Sequence, residues 1–81
     1  MRSYWETIVK GIRYAIAISD DRVCLTKDTG NKETSGASEV PFPRFLRSRR
    51  LHNHVAEIHG EFALKELIAA CEAALTSRPH S

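Results

Sequence analysis

The sequence lacks both long apolar runs and a cysteine framework. No stretch approaches the roughly 18 consecutive apolar residues that cross a bilayer, and the first residues contain no apolar signal-peptide core. The two cysteines, Cys24 and Cys71, form no Cys-x-x-Cys pair, which argues against a disulfide-stapled mini-protein or a redox motif. Both lie among apolar residues, so we expect small buried side chains. The sequence predicts a soluble, cytoplasmic protein without membrane contact.

Residue patterns for catalysis, metal binding and cofactor binding are also missing. No glycine-rich phosphate loop is present, and no glycine elbow surrounds a serine. His52, His54 and His59 have no paired cysteines at the spacing of a structural zinc site. Ser48, His52 and Glu57 could form a nucleophilic set, but these residue types are too common to indicate one. We therefore predict a protein that is not an enzyme and that holds no metal or cofactor.

One segment lacks acidic side chains. No Asp or Glu lies between Glu39 and Glu57, although the chain contains 10 acidic residues. Four of the 12 Lys and Arg residues fall within residues 41–54, which leaves 8 basic against 10 acidic residues elsewhere. We call residues 41–54 the basic segment. This charge asymmetry is the strongest functional indication in the sequence.

Alternation of apolar and polar residues predicts strands in the first third of the chain. Residues 12–19 follow the period of two that is typical of a half-buried strand. Asp20 and Asp21 form a turn signal, and residues 22–27 resume with β-branched residues, so the pattern predicts a hairpin. The long polar stretch that follows, at about residues 27–39, predicts a flexible surface loop that supplies no core.

The first ten residues are compatible with two structures. Trp5 to Val9 suit a strand that ends in a Lys10-Gly11 turn, which would extend the hairpin to a three-stranded meander. Ser3 and Glu6 also match a helix capping box. We favour the strand because of its β-branched residues.

The second half of the chain indicates helices. Pro43 predicts the first turn of a helix that continues to about Arg50, and residues 51–59 would either extend that helix or form another strand. The last helix is clearer because its apolar residues recur at helical spacing. This stripe consists of Phe62, Leu64, Leu67, Ile68, Cys71, Ala74 and Leu75.

Together these elements predict one small α+β domain over residues 1–81. An antiparallel β-hairpin or three-stranded meander comes first, the basic segment follows, and an amphipathic C-terminal helix packs on the sheet. A chain of this size would gain stability from a homodimer, which the breadth of the last helix's stripe permits.

The basic segment is the predicted contact region. On a continuous helix, Arg47, Arg50 and His54 would share one face. Arginine and aromatic residues are common at protein interfaces, so the leading hypothesis is a small regulator or inhibitor that binds an acidic protein surface. The alternative is a nucleic-acid-binding module, in which the arginines contact phosphates and the phenylalanines stack on bases. A solvated face without a ligand is the third interpretation. The predicted contact residues are Phe42, Arg44, Phe45, Arg47, Arg49, Arg50, His52 and His54.

Overall fold

The computed structural model describes residues 2–77 as a four-stranded antiparallel meander with three helices packed on one of its faces. The elements are β1 (Tyr4–Val9), β2 (Ile12–Ile18), β3 (Arg22–Asp28), β4 (Gly36–Pro41), α1 (Phe42–Arg47), α2 (Arg49–His59) and α3 (Glu61–Thr76). Each strand pairs with the next, in the order β1-β2-β3-β4. The predicted α+β architecture is confirmed, with four strands in place of two or three. Within residues 2–77, no helix has the length and apolarity needed to cross a membrane.

Two tight turns join the first three strands. Lys10 and Gly11 adopt positive φ angles of 52° and 79°, the left-handed pair that a two-residue hairpin turn requires. This turn confirms the strand interpretation of the first ten residues. At the next turn, the Ser19 N–H donates to the Arg22 carbonyl over 3.0 Å, so Asp20 and Asp21 form the predicted hairpin connection.

The prediction of a flexible loop over residues 27–39 is wrong for most of its length. β4 pairs with β3 from Lys27↔Gly36 to Arg22↔Pro41, which leaves only residues 29–35 as the connection. The Gly30 N–H donates to Asp28 Oδ1 over 2.9 Å, so the start of this connection is held by its own side chains. The sequence of β4 does not alternate between apolar and polar residues, because Val40 is its only buried residue. Pairing with β3 satisfies the backbone hydrogen bonds of β4 whatever its side chains are.

The core lies between the helices and one face of the sheet. Its buried apolar side chains are Trp5, Ile16, Val23, Val40, Phe42, Phe45, Val55, Leu67, Ala70 and Cys71. The strand residues among them alternate with residues of the opposite face, which no helix covers. Cys71 is buried as predicted, whereas Cys24 is not in the core. Cys24 follows Val23 and therefore lies on the uncovered face, where its Sγ is 3.8 Å from Glu39 Oε1.

Breaks at Ser48 and Gly60 divide the second half of the chain into three helices. Ser48 is extended, with φ −93° and ψ 98°, and its Oγ accepts a hydrogen bond from the Leu51 N–H as the N-cap of α2. The predicted continuous helix to about Arg50 is therefore wrong, and residues 51–59 are helical. The apolar stripe of α3 is confirmed at its centre, but Phe62 at its start is 76% exposed.

Removal of a core ring is expected to cost much of the stability. The Phe45 side chain is fully buried, so Phe45→Ala should lower the free energy of unfolding by about 3–5 kcal/mol. Urea unfolding followed by circular dichroism measures this change. The matched control is Arg47→Ala, an exposed position in the same helix, which should alter stability by no more than about 0.5 kcal/mol. Equal effects of the two substitutions would contradict the packing described above.

The burial of His59, where α2 meets β1, is expected to make stability depend on pH. Thr7 Oγ1 and His59 Nδ1 are 2.7 Å apart, and burial, with a smaller contribution from the charge of His54, lowers the pKa of His59. The imidazole of His59 is therefore protonated near pH 6.5 in the unfolded chain but only at lower pH in the folded chain. We expect the free energy of unfolding to fall as pH drops below this value. The fall should be smaller in His59→Gln, measured by urea unfolding at a series of pH values, and an identical pH dependence would contradict this assignment.

Candidate binding surface

The arginines of the basic segment differ from the other described arginines in having no acidic partner. Arg44, Arg47, Arg49 and Arg50 are exposed, and none forms an ion pair with another residue in the range 2–77. The cause is local, because the sequence contains no acidic residue between Glu39 and Glu57. These four guanidinium groups are therefore available to a partner.

Arginines elsewhere in the described chain are each paired. Arg2 lies 3.3 Å from Glu66, and Arg22 lies 2.9 Å from Asp21. Arg13 is 3.8 Å from a Glu6 oxygen. Positive charge without internal compensation is thus confined, among the described arginines, to the basic segment.

Phe42 and Phe45 do not belong to the accessible surface. Both side chains are 0% exposed and form part of the core, because α1 directs its aromatic residues toward the sheet and α3. They cannot stack on a nucleobase or fill a partner's pocket while the fold is intact. We therefore remove them from the predicted contact region and assign them to the anchoring of α1.

His52 has a structural position between α1 and α2. Its Nε2 is 2.8 Å from the Phe45 carbonyl oxygen, which only accepts, so Nε2 carries the proton and donates. Its ring also packs on Phe45, with centroids 5.2 Å apart and planes tilted by 58°. The side chain is half-buried, so it positions the two helices rather than extending toward solvent.

The break at Ser48 separates residues that were expected to share a helical face. Arg44 and Arg47 lie on α1, whereas Arg50 and His54 lie on α2. Their spacing of three and four residues therefore no longer defines one face. Arg50 and His54 are brought together, and both line a groove between α2 and the sheet.

This groove has a volume of about 480 Å³ and combines an apolar floor with basic side chains. We call it the basic groove. Tyr14, Leu25 and Leu51 supply apolar surface, and Lys27 of β3 joins the two basic residues of α2. No acidic side chain lines it. Its lining residues are Tyr14, Leu25, Thr26, Lys27, Gly36, Ala37, Ser38, Arg50, Leu51 and His54.

Sequence reasoning missed the strand side of the basic groove. Tyr14 pairs with Lys27, and Lys27 pairs with Gly36, so these positions form one row across three strands. Tyr14 follows the alternation of β2, but Lys27 and Gly36 fall in the stretch expected to be a loop. Only the recognition of β4 could have placed them beside α2.

The arrangement is suited to binding anions. Arginine forms forked hydrogen bonds to carboxylate or phosphate, and lysine contributes a compact charge. Within residues 2–77, no cluster of three metal-ligating side chains occurs. Burial raises the pKa of the Cys71 thiol to about 11, so this buried thiol remains protonated near neutral pH.

No family model, curated protein or solved structure matches this chain.

Proposed function

We propose that this chain is a small, non-enzymatic regulatory or inhibitory protein that occupies an acidic surface of a partner protein. The observation that carries the proposal is the set of four exposed arginines that form no ion pair within residues 2–77. A cytoplasmic site of action is part of the proposal.

The basic groove supports a partner that offers both negative charge and apolar surface. Exposed ion pairs contribute little affinity each, typically about 0.2–1 kcal/mol, so the arginines alone would bind weakly. Leu25, Leu51 and Tyr14 add apolar contact area beside Arg50. In this arrangement the charges accelerate and orient association, while burial of a partner side chain in the groove slows dissociation.

The nucleic-acid alternative uses the same arginines on phosphates. The predicted stacking of phenylalanines on bases does not support this alternative, because Phe42 and Phe45 are buried. A phosphate-binding mode would show affinity that falls steeply with salt, since each neutralised phosphate releases condensed counterions. Binding that is insensitive to salt would therefore argue against the nucleic-acid alternative.

Charge reversal should weaken capture of the partner. Arg47→Glu/Arg50→Glu places a negative charge on each helix of the basic segment, so we expect at least a tenfold loss of affinity, or about 1.4 kcal/mol. The measurement is a pull-down from the native cell lysate, with and without nuclease. Titration calorimetry on the recovered partner then gives the affinity. The matched control is Lys32→Glu/Lys65→Glu, which changes the net charge equally at two exposed positions outside the segment.

A third variant tests whether the basic groove belongs to the same surface. Lys27→Glu reverses a charge on β3 and should weaken binding as strongly as Arg50→Glu, because both side chains line the groove. Capture that survives Arg47→Glu/Arg50→Glu would refute the proposed surface. Loss of capture after nuclease treatment would support the nucleic-acid alternative instead.

A further inference from the structure

β1 has a free edge whose backbone groups are ready to pair with another strand. Among the described residues, the sheet order leaves β1 bonded only to β2. The Ile18 N–H donates to the Ser3 carbonyl over 3.0 Å, which sets the alternation along the strand. Trp5 and Thr7 therefore direct their backbone groups toward β2, whereas Glu6 and Ile8 direct theirs outward.

The same edge collects the exposed apolar side chains of the described chain. Within residues 2–77, four large hydrophobic side chains are more than a third exposed: Tyr4 at 50%, Ile8 at 61%, Val9 at 38% and Phe62 at 76%. The first three belong to β1. Phe62 lines a small pocket together with Trp5 and Thr7, so it lies beside β1 as well. An apolar edge strand of this kind is a site of association.

Most of the charges around this edge are paired within the described chain, with Lys10 as the exception, unlike those of the basic segment. Arg2 is paired with Glu66, and Arg13 is paired with Glu6. A surface that compensates its own charges does not repel a second copy of itself, whereas a surface of unpaired arginines does. Charge complementarity therefore favours an identical chain as the occupant of this edge.

We propose that β1 pairs antiparallel with β1 of a second copy, which joins two four-stranded sheets into one of eight strands. The pairing is symmetric, since the same strand contributes on both sides of a two-fold axis. Ile8 and Phe62 leave solvent in this arrangement. The interface is independent of the basic segment and of its partner.

The register of the proposed β1–β1 pairing follows from which outward backbone groups of β1 already have a hydrogen-bond partner. Arg2 Nε donates to the Tyr4 carbonyl over 3.1 Å, so the outward groups of Glu6 and Ile8 remain for pairing. Glu6 of one copy opposite Ile8 of the other uses all of these groups. It also avoids two carboxylates facing each other, which destabilises a strand pair. The two-fold axis then passes beside Thr7.

β4, the opposite edge, is less suited to this role. It ends at Pro41, which has no N–H to donate. In the dimer, the two β4 strands form the outer edges of the eight-stranded sheet. Each basic groove is centred on β3, so with strands about 4.8 Å apart the two grooves lie roughly 24 Å apart. A partner with two acidic segments could then bind both at once, which raises its apparent affinity.

Sedimentation equilibrium tests the dimer directly. Full-length protein should show a mass that rises from monomer to dimer as its concentration increases to about 1 mM. Ile8→Lys places a charge in the interface and should weaken dimerisation at least tenfold. The matched control is Glu33→Lys, at an exposed position in the connection between β3 and β4, which should leave the dissociation constant unchanged. Circular dichroism confirms that both variants are folded.

Amide hydrogen exchange provides a second measurement that needs no substitution. The amides of Glu6 and Ile8 should become protected as protein concentration rises. The Phe42 N–H donates to the Asp21 carbonyl, so the alternation in β4 directs the amide of Ala37 outward, and it serves as the unprotected control. A monomeric mass at every concentration overturns the proposal. A dimer that Ile8→Lys leaves intact, or protection that does not change with concentration, overturns it as well.

Discussion

The burial of Phe42 and Phe45 is the contact on which the basic segment depends. Both rings are fully buried, and they fasten α1 to the sheet at the point where the chain leaves β4. The arginines next to them in sequence are directed to solvent because the rings occupy the inner face of a short helix. The His52–Phe45 hydrogen bond then links α2 to α1. The basic segment, whose arginines form no ion pairs within the described chain, is thus anchored by two fully buried side chains, Phe42 and Phe45.

One layer of helices cannot cover both faces of a four-stranded sheet in a chain of 81 residues. The helices bury one face around Ile16 and Val23, and the other face retains small or polar side chains such as Ala15 and Thr26. Large exposed apolar side chains are absent from the inner strands of the described chain and occur along β1 and at Phe62. The two ends of the sheet therefore differ in chemistry. The β1 edge is apolar and most of its charges are paired, whereas the groove near β4 is basic.

This polarity separates two kinds of association. Apolar burial and backbone pairing at β1 are insensitive to salt and suit an identical chain. Unpaired arginines with the basic groove suit an acidic partner, and screening weakens their contribution. The two proposed interfaces use different residues, so neither blocks the other. The proposed dimer would present the proposed partner site twice.

The sequence by itself determined the elements that have a strong local signal. The alternation of residues 12–19, the turn at Asp20-Asp21 and the apolar centre of α3 were predictable, because each depends on periodicity or on turn chemistry between near neighbours. For the first ten residues the sequence favoured the strand and its Lys10-Gly11 turn over a helix, and the structure decided between them. The lack of acidic residues between Glu39 and Glu57 likewise identified the unpaired arginines.

Only the tertiary structure decided which side chains of the basic segment are accessible and what lies beside them. β4 has almost no apolar pattern, because it is held by backbone pairing with β3 and not by burial of its side chains. A sequence analysis that does not recognise β4 therefore lacks the strand that lines the groove opposite α2. The burial of Phe42, the separation of Arg47 from Arg50 at Ser48, and the meeting of Lys27 with His54 all depend on contacts between residues distant in sequence. Local propensity carries no information about such contacts.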